Sequence, residues 1–139
     1  NKHGHVYSLE HHAGYAESTR VELARHEVSH RAEVLHAPLV PHELGGARWS
    51  WYALNELPDL EIDMLVIDGP PGHTGALARY PAGPVLLSRL RGGGVAFLDD
   101  GLEAHVKQAV ARWSREIPGL STQSAECEKG CLIVRRERA

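Results

Sequence analysis

The sequence predicts an α/β domain built on an open, mostly parallel sheet that finishes in an antiparallel hairpin. Three observations carry that expectation. Short apolar runs alternate with amphipathic stretches, the pattern of strands joined through helices. The run from Met64 to Ile67 is uninterruptedly apolar, as in a strand covered on both faces of a parallel sheet. Two further short runs flank Lys129-Gly130, a turn that would pair them antiparallel.

The elements follow in order. Val6 to Glu10 (VYSLE) is a short strand ending on a carboxylate. From Tyr15 to His26 the positions Tyr15, Ala16, Thr19, Leu23 and Ala24 recur at helical spacing, with Glu and Arg opposite. Glu33 to Ala37 is a second strand, stopped by Pro38. Trp49, Trp51, Tyr52 and Leu54 cluster next; the i, i+2 spacing of the tryptophans suggests a strand or hairpin with one aromatic face. That face is either core or a wall for a flat substrate. Ile62 to Asp68 (IDMLVID) is the third strand proper, broken at once by Gly69-Pro70-Pro71-Gly72. Leu77 to Leu90 reads as a helix with Pro81 and Pro84 in its irregular first half, ended by Gly92-Gly93-Gly94. Val95 to Asp99 is the fourth strand. His105 to Ile117 is amphipathic, with Val106, Ala109, Val110 and Trp113 on one face, and Pro118-Gly119 closes it. Leu120 to Glu126 and Cys131 to Arg135 complete the hairpin.

At 139 residues the chain is expected to be a single domain, 1–139, with a real core. Lys and Arg total 15 against 18 Asp and Glu, a net charge of −3, which gives no general drive toward nucleic acid or anionic membrane. No apolar run approaches the roughly 18 residues of a membrane span, and no signal pattern opens the chain, so the cytoplasm is the expected compartment. Cys127 and Cys131 form a lone C-x3-C pair, read as two reduced thiols at a turn rather than half of a zinc site. His3, His5, His11 and His12 lie close together near the N-terminus; surface or loop positions are the plain reading of the ten histidines.

In an open α/β sheet, ligands bind outside the carboxyl ends of the strands. Those ends carry Glu10, Asp68, and the pair Asp99 and Asp100. A carboxylate at a strand end can accept both hydroxyls of a ribose, or cap the helix that follows. Asp68, behind an apolar run and before a rigid turn, suits a cation or a cationic ligand. Carboxylates gathered at one crevice repel one another unless a cation neutralises them, and hard oxygen ligands suit Mg²⁺.

The segments SLEHHAGYAESTRVEL, EVLHAPL, IDMLVIDGPPG and LLSRLRGGGVAFLDDG resemble, in order, successive blocks of class I S-adenosylmethionine-dependent methyltransferases. LVIDGPPG and LRGGGVAFLDD are similar to a small bacterial group of that superfamily. The resemblance runs from Val6 to Arg135 and implies a Rossmann-like fold with S-adenosylmethionine as cofactor. It places Glu10 on the ribose, His11 and the Ala37-Pro38-Leu39 turn beside the adenine, and Asp68 near the methionine end. Catechol- and caffeoyl-CoA-type O-methyltransferases are more distantly similar. By that likeness Asp68, Asp99 and Asp100 would be metal ligands, with Asp100 standing where those enzymes have Asn. Those enzymes also carry a Lys base after the first metal Asp, where this chain has Pro70-Pro71-Gly72-His73. His73 could take that role beside Asp68, although a loop histidine facing water is the plainer reading.

The superfamily's glycine-rich turn stands about 20 residues before the position of Glu10. Only nine residues precede Glu10 here, so the first strand–turn–helix unit is expected to be missing. Gly92-Gly93-Gly94 is no substitute, because it precedes a strand. The leading expectation is O-methyl transfer to a small hydroxylated acceptor, with Trp49, Trp51 and Tyr52 bordering it. A degenerate domain serving as a non-catalytic binding or dimerisation module is the alternative, and an NAD-binding half-domain is a third. An exposed sheet edge left by the missing strand would call for another segment of a longer chain or for a second subunit.

Overall fold

The structure, a computed structural model, describes residues 4–138; His3 of the N-terminal histidine group lies outside them. Two compact units make up the described chain. The first runs to His42 and adds Ser50–Asp59; the second comprises Glu43–Trp49 and the chain from Leu60 on.

In the first unit, β1 (Val6–Glu10), α1 (Ala13–Arg25) and β2 (Ala32–His36) form a right-sized crossover. The two strands pair in parallel, from Val6 opposite Ala32 to Glu10 opposite His36. Helix α1 begins where the His12 Nδ1 accepts the Tyr15 N–H at 3.4 Å. It buries Ala16 completely but leaves Tyr15 and Val21 exposed, so its apolar stripe is narrow. Val34, Leu35, Ala37 and Trp51 make the rest of this core.

Strands β3 (Leu39–Leu44) and β4 (Ala47–Tyr52) form a two-stranded sheet. The two residues between them, Gly45 and Gly46, have φ of +59° and +76°, a turn that glycine alone enters without strain. Strand β4 answers the tryptophan spacing. Strand β3 follows Pro38, which reads as a stop, and contains Pro41; in a ribbon of two strands each has an outer edge needing no N–H, so proline is tolerated.

The second unit holds β5 (Ile62–Ile67), α2 (Ala82–Leu86), β6 (Leu90–Leu98), α3 (Ala104–Glu116), β7 (Leu120–Ala125) and β8 (Cys131–Arg136). Its sheet runs β5-β6-β8-β7. Only β5 and β6 are parallel; β6 with β8 and β7 with β8 are antiparallel. The α/β class holds, but this sheet is mixed rather than mostly parallel, because the hairpin supplies half of its strands. The hairpin itself forms as expected, from Leu120 opposite Arg136 to Ala125 opposite Cys131, with Gly130 at φ +73° in its turn. Ala96, Leu98 and Val134 of the sheet are fully buried, as are Val106, Ala109 and Trp113 of α3.

Three local expectations are corrected. The helix predicted over Leu77 to Leu90 is only the short α2 followed by a 3₁₀ turn, Leu87–Arg89, because Leu77 sits at φ +52° and two prolines interrupt the pattern. The three glycines do not end a helix but lie inside β6. A Cβ on Gly94 would come within 2.9 Å of the Arg91 carbonyl oxygen, so a side chain there would be crowded out. Finally, β5 is not covered on both faces: Ile67 is buried, yet Met64 and Val66 are 60% and 63% exposed. Its apolar run therefore reflects one buried and one open face.

Candidate functional site

Strands β5 and β6 are parallel and in register from Ile67 to Leu98, so the residues that follow leave the sheet side by side. The Asp99 N–H donates to the Ile67 carbonyl at 3.2 Å and continues that pairing one step. This brings Asp68, Asp99 and Asp100 together, with one oxygen from each carboxylate lying within 4.8 Å of the others. Asp100 sits at φ +55°, an uncommon conformation for a residue with a side chain.

A fourth residue enters this cluster that the sequence did not single out. Arg79 is 4% exposed, and its guanidinium points among the three aspartates. Nη1 donates to the Asp99 carbonyl at 2.6 Å, and Nη2 donates to Asp100 Oδ2 at 2.7 Å. Nη2 also lies 3.5 Å from the Asp68 carbonyl and 3.7 Å from Asp68 Oδ1. Arg79 Nε is buried with no partner among the described residues. Lys129 Nζ approaches Asp100 Oδ1 at 4.0 Å from the exposed side. The available signal was an arginine in an otherwise apolar run, Leu77 to Ala82, where a charge is retained only if it is paired. His73 lies on the 3₁₀ turn Gly72–Thr74, exposed and without a polar contact among the described residues.

In the first unit, Glu10 ends β1 with its side chain 29% exposed. Its Oε1 accepts the His12 N–H at 2.7 Å and lies 3.2 Å from His11 Nδ1. The carboxylate thus holds the entry to α1, and among the described residues Oε2 has no hydrogen-bond partner. The Ala37 N–H donates to the Glu10 carbonyl at 2.8 Å, and the Pro38 carbonyl accepts from Ala53, so the Ala37-Pro38-Leu39 turn is fixed beside that strand end. His11 and Tyr52 meet edge to face at 6.2 Å between ring centres. Trp51 is buried against His42 and Tyr52, and its indole N–H has no partner among the described residues.

Trp49 belongs to the second unit, where it stacks on Tyr80 at 4.5 Å. The Arg112 guanidinium lies 4.0 Å over the Tyr80 ring and 5.5 Å from the centre of the Trp49 ring. Glu116 closes the group: it accepts from the Tyr80 hydroxyl and from Arg112 Nε, each at 2.5 Å. Burial, then the bond to Glu116, pushes the Tyr80 hydroxyl above its ordinary range. The bond from Tyr80, then that from Arg112, holds the Glu116 carboxyl below its ordinary 4.5. A carboxyl depressed by folding stabilises the native state above its unfolded value, and that contribution is lost as pH falls through the folded value. Glu116→Gln should therefore flatten the fall in Tm on acidification below about pH 4.5. Thermal melts of both proteins from neutral to acid pH check it, and parallel curves would refute the assignment.

No family model matches the chain, and no curated protein does. Solved structures do. The O-methyltransferase from Bacillus cereus in complex with SAH has a TM-score of 0.64 and 16% identity, over 96% of this chain and 63% of that one. A methyltransferase from Geobacter sulfurreducens scores 0.65 at 15% identity, over 95% and 58%. An rRNA methylase from Streptococcus thermophilus scores 0.61 at 14%, over 96% and 74%. At such identities the likeness is one of fold. The chain spans less than two thirds of the length of the first two proteins.

Proposed function

We propose that this chain is part of an S-adenosylmethionine-dependent methyltransferase that transfers the methyl group to an oxygen of a small hydroxylated acceptor. The observation that supports it most is the likeness of fold, over nearly the whole chain, to methyltransferases that include one in complex with SAH. Glu10 would hold the cofactor's ribose: a backbone N–H orients its carboxylate through Oε1, and among the described residues Oε2 has no hydrogen-bond partner. His11 and the Ala37-Pro38-Leu39 turn would border the adenine. By the resemblance of sequence, Asp68 would meet the cationic methionine end.

The chain's part in the reaction is positional. Methyl transfer needs the acceptor oxygen in line with the sulfonium, and holding that geometry supplies much of the acceleration. His73, exposed on the turn after Asp68, would accept the acceptor's proton. The net charge of −3 gives no general electrostatic drive toward RNA, in keeping with a small acceptor. The test is transfer of labelled methyl from S-adenosylmethionine to catechols, other hydroxylated small molecules and an rRNA fragment. Label on a small acceptor's oxygen is the expected result. Label on RNA alone would overturn the acceptor class, and cofactor binding without any transfer would make the chain a non-catalytic module.

A further inference from the structure

Three carboxylates within 4.8 Å of one another have the spacing of a divalent-metal site. Like charges held this close repel one another, and positive charge among their oxygens relieves that repulsion. The structure supplies that charge from the chain itself. The Arg79 side chain is 5% exposed and donates at 2.7 Å to Asp100 Oδ2, with Asp68 Oδ1 at 3.7 Å. A guanidinium cannot give up its proton at any pH the protein survives, so its charge is permanent. A Mg²⁺ bound to the same carboxylates would meet that charge at close range. The residues present therefore do not fit a metal.

We propose that Arg79 is the resident cation of the Asp68–Asp99–Asp100 cluster and stands in place of a divalent metal. Three further details agree. Nη1 is anchored on the Asp99 carbonyl at 2.6 Å, so the guanidinium is held by main chain as well as by carboxylate. Lys129 approaches the remaining oxygen of Asp100, adding a second positive group. Asp68 is 70% exposed and only distantly paired, so it keeps an acidic face toward solvent for a cationic ligand. Arg79 acts as a positioning residue: it fixes the two strand ends and sets the charge that any ligand there meets. This inference concerns the cluster's electrostatics and stands whether or not methyl transfer is the reaction.

The test is a Mn²⁺ titration followed by electron paramagnetic resonance, on the wild-type protein and on Arg79→Gln and Arg79→Lys. The wild type should bind no Mn²⁺ below millimolar concentration, and Arg79→Lys, which keeps the charge, should behave alike. Arg79→Gln should gain Mn²⁺ affinity by about tenfold or more, because a full positive charge leaves the carboxylates. Circular dichroism establishes that this variant is folded. Stoichiometric micromolar binding by the wild type would overturn the proposal without reference to any variant. So would a folded Arg79→Gln that gains nothing. A proposal about methyl transfer fails on different evidence, the absence of labelled product, so the two outcomes are separable.

Discussion

Gly83→Ala is expected to destabilise the protein by about 3 kcal/mol, the upper part of the range for overpacking a tight core. Gly83 is buried in α2, and a Cβ there would fall inside the Trp113 indole, 2.7 Å from Cε2 and nearer still to Nε1 and Cδ1. Trp113 has no room to retreat. It is completely buried, and its Nε1 donates at 2.8 Å to the Tyr80 carbonyl. Relief would require α2 to move away from α3, or the indole to turn and leave its N–H without a partner, itself a cost of about 1–3 kcal/mol. In a thermal melt this corresponds to a fall of roughly 10 °C. A loss below about 1 kcal/mol would mean that the two helices do not meet as closely as described.

The other large effect is expected at Arg79. Arg79→Met keeps most of the side chain's length and apolar stem but removes the charge. Breaking a buried ion pair from one side costs about 3–5 kcal/mol, because the partner is left uncompensated. Here Asp68 and Asp100 retain some access to water, which places the expected loss near the lower end, about 3 kcal/mol. The variant should be rescued in part by Asp100→Asn, which removes the acid that Arg79 faces at 2.7 Å. Equal and additive losses from the two substitutions in urea denaturation would show that the pair is not coupled.

Much of this was legible from residue order. β1, α1, β2, α3 and the closing hairpin lie within a residue or two of where the apolar pattern put them. They are elements whose own sequence settles their conformation. What failed depended on partners. The Met64 to Ile67 run is apolar on both sides of the strand, and composition does not tell which side is covered; the open side carries Met64 and Val66. Gly92-Gly93-Gly94 reads as a break by propensity, yet pairing with β5 and the closeness of the Arg91 carbonyl place it in a strand. The juxtaposition of Asp68 with Asp99 and Asp100 could be anticipated, because parallel neighbouring strands bring their ends together. The arrival of Arg79 could not. It depends on how a 13-residue irregular segment, from Asp68 to Tyr80, folds back over those ends, and no periodicity encodes that path. The Tyr80–Glu116–Arg112 group was missed for the same reason, since Tyr80 is distant in sequence from the Arg112–Glu116 pair of α3.

The central claim, that the end of β1 receives a nucleoside cofactor, is tested most directly by calorimetric titration of S-adenosylhomocysteine into the full-length protein and into its Glu10→Ala variant. The account predicts saturable one-to-one binding by the wild type. It predicts that Glu10→Ala weakens that binding by about 2 kcal/mol, roughly thirtyfold, for loss of a charged acceptor of ribose hydroxyls. Absence of binding by the wild type, or equal affinity in the two proteins, would contradict it.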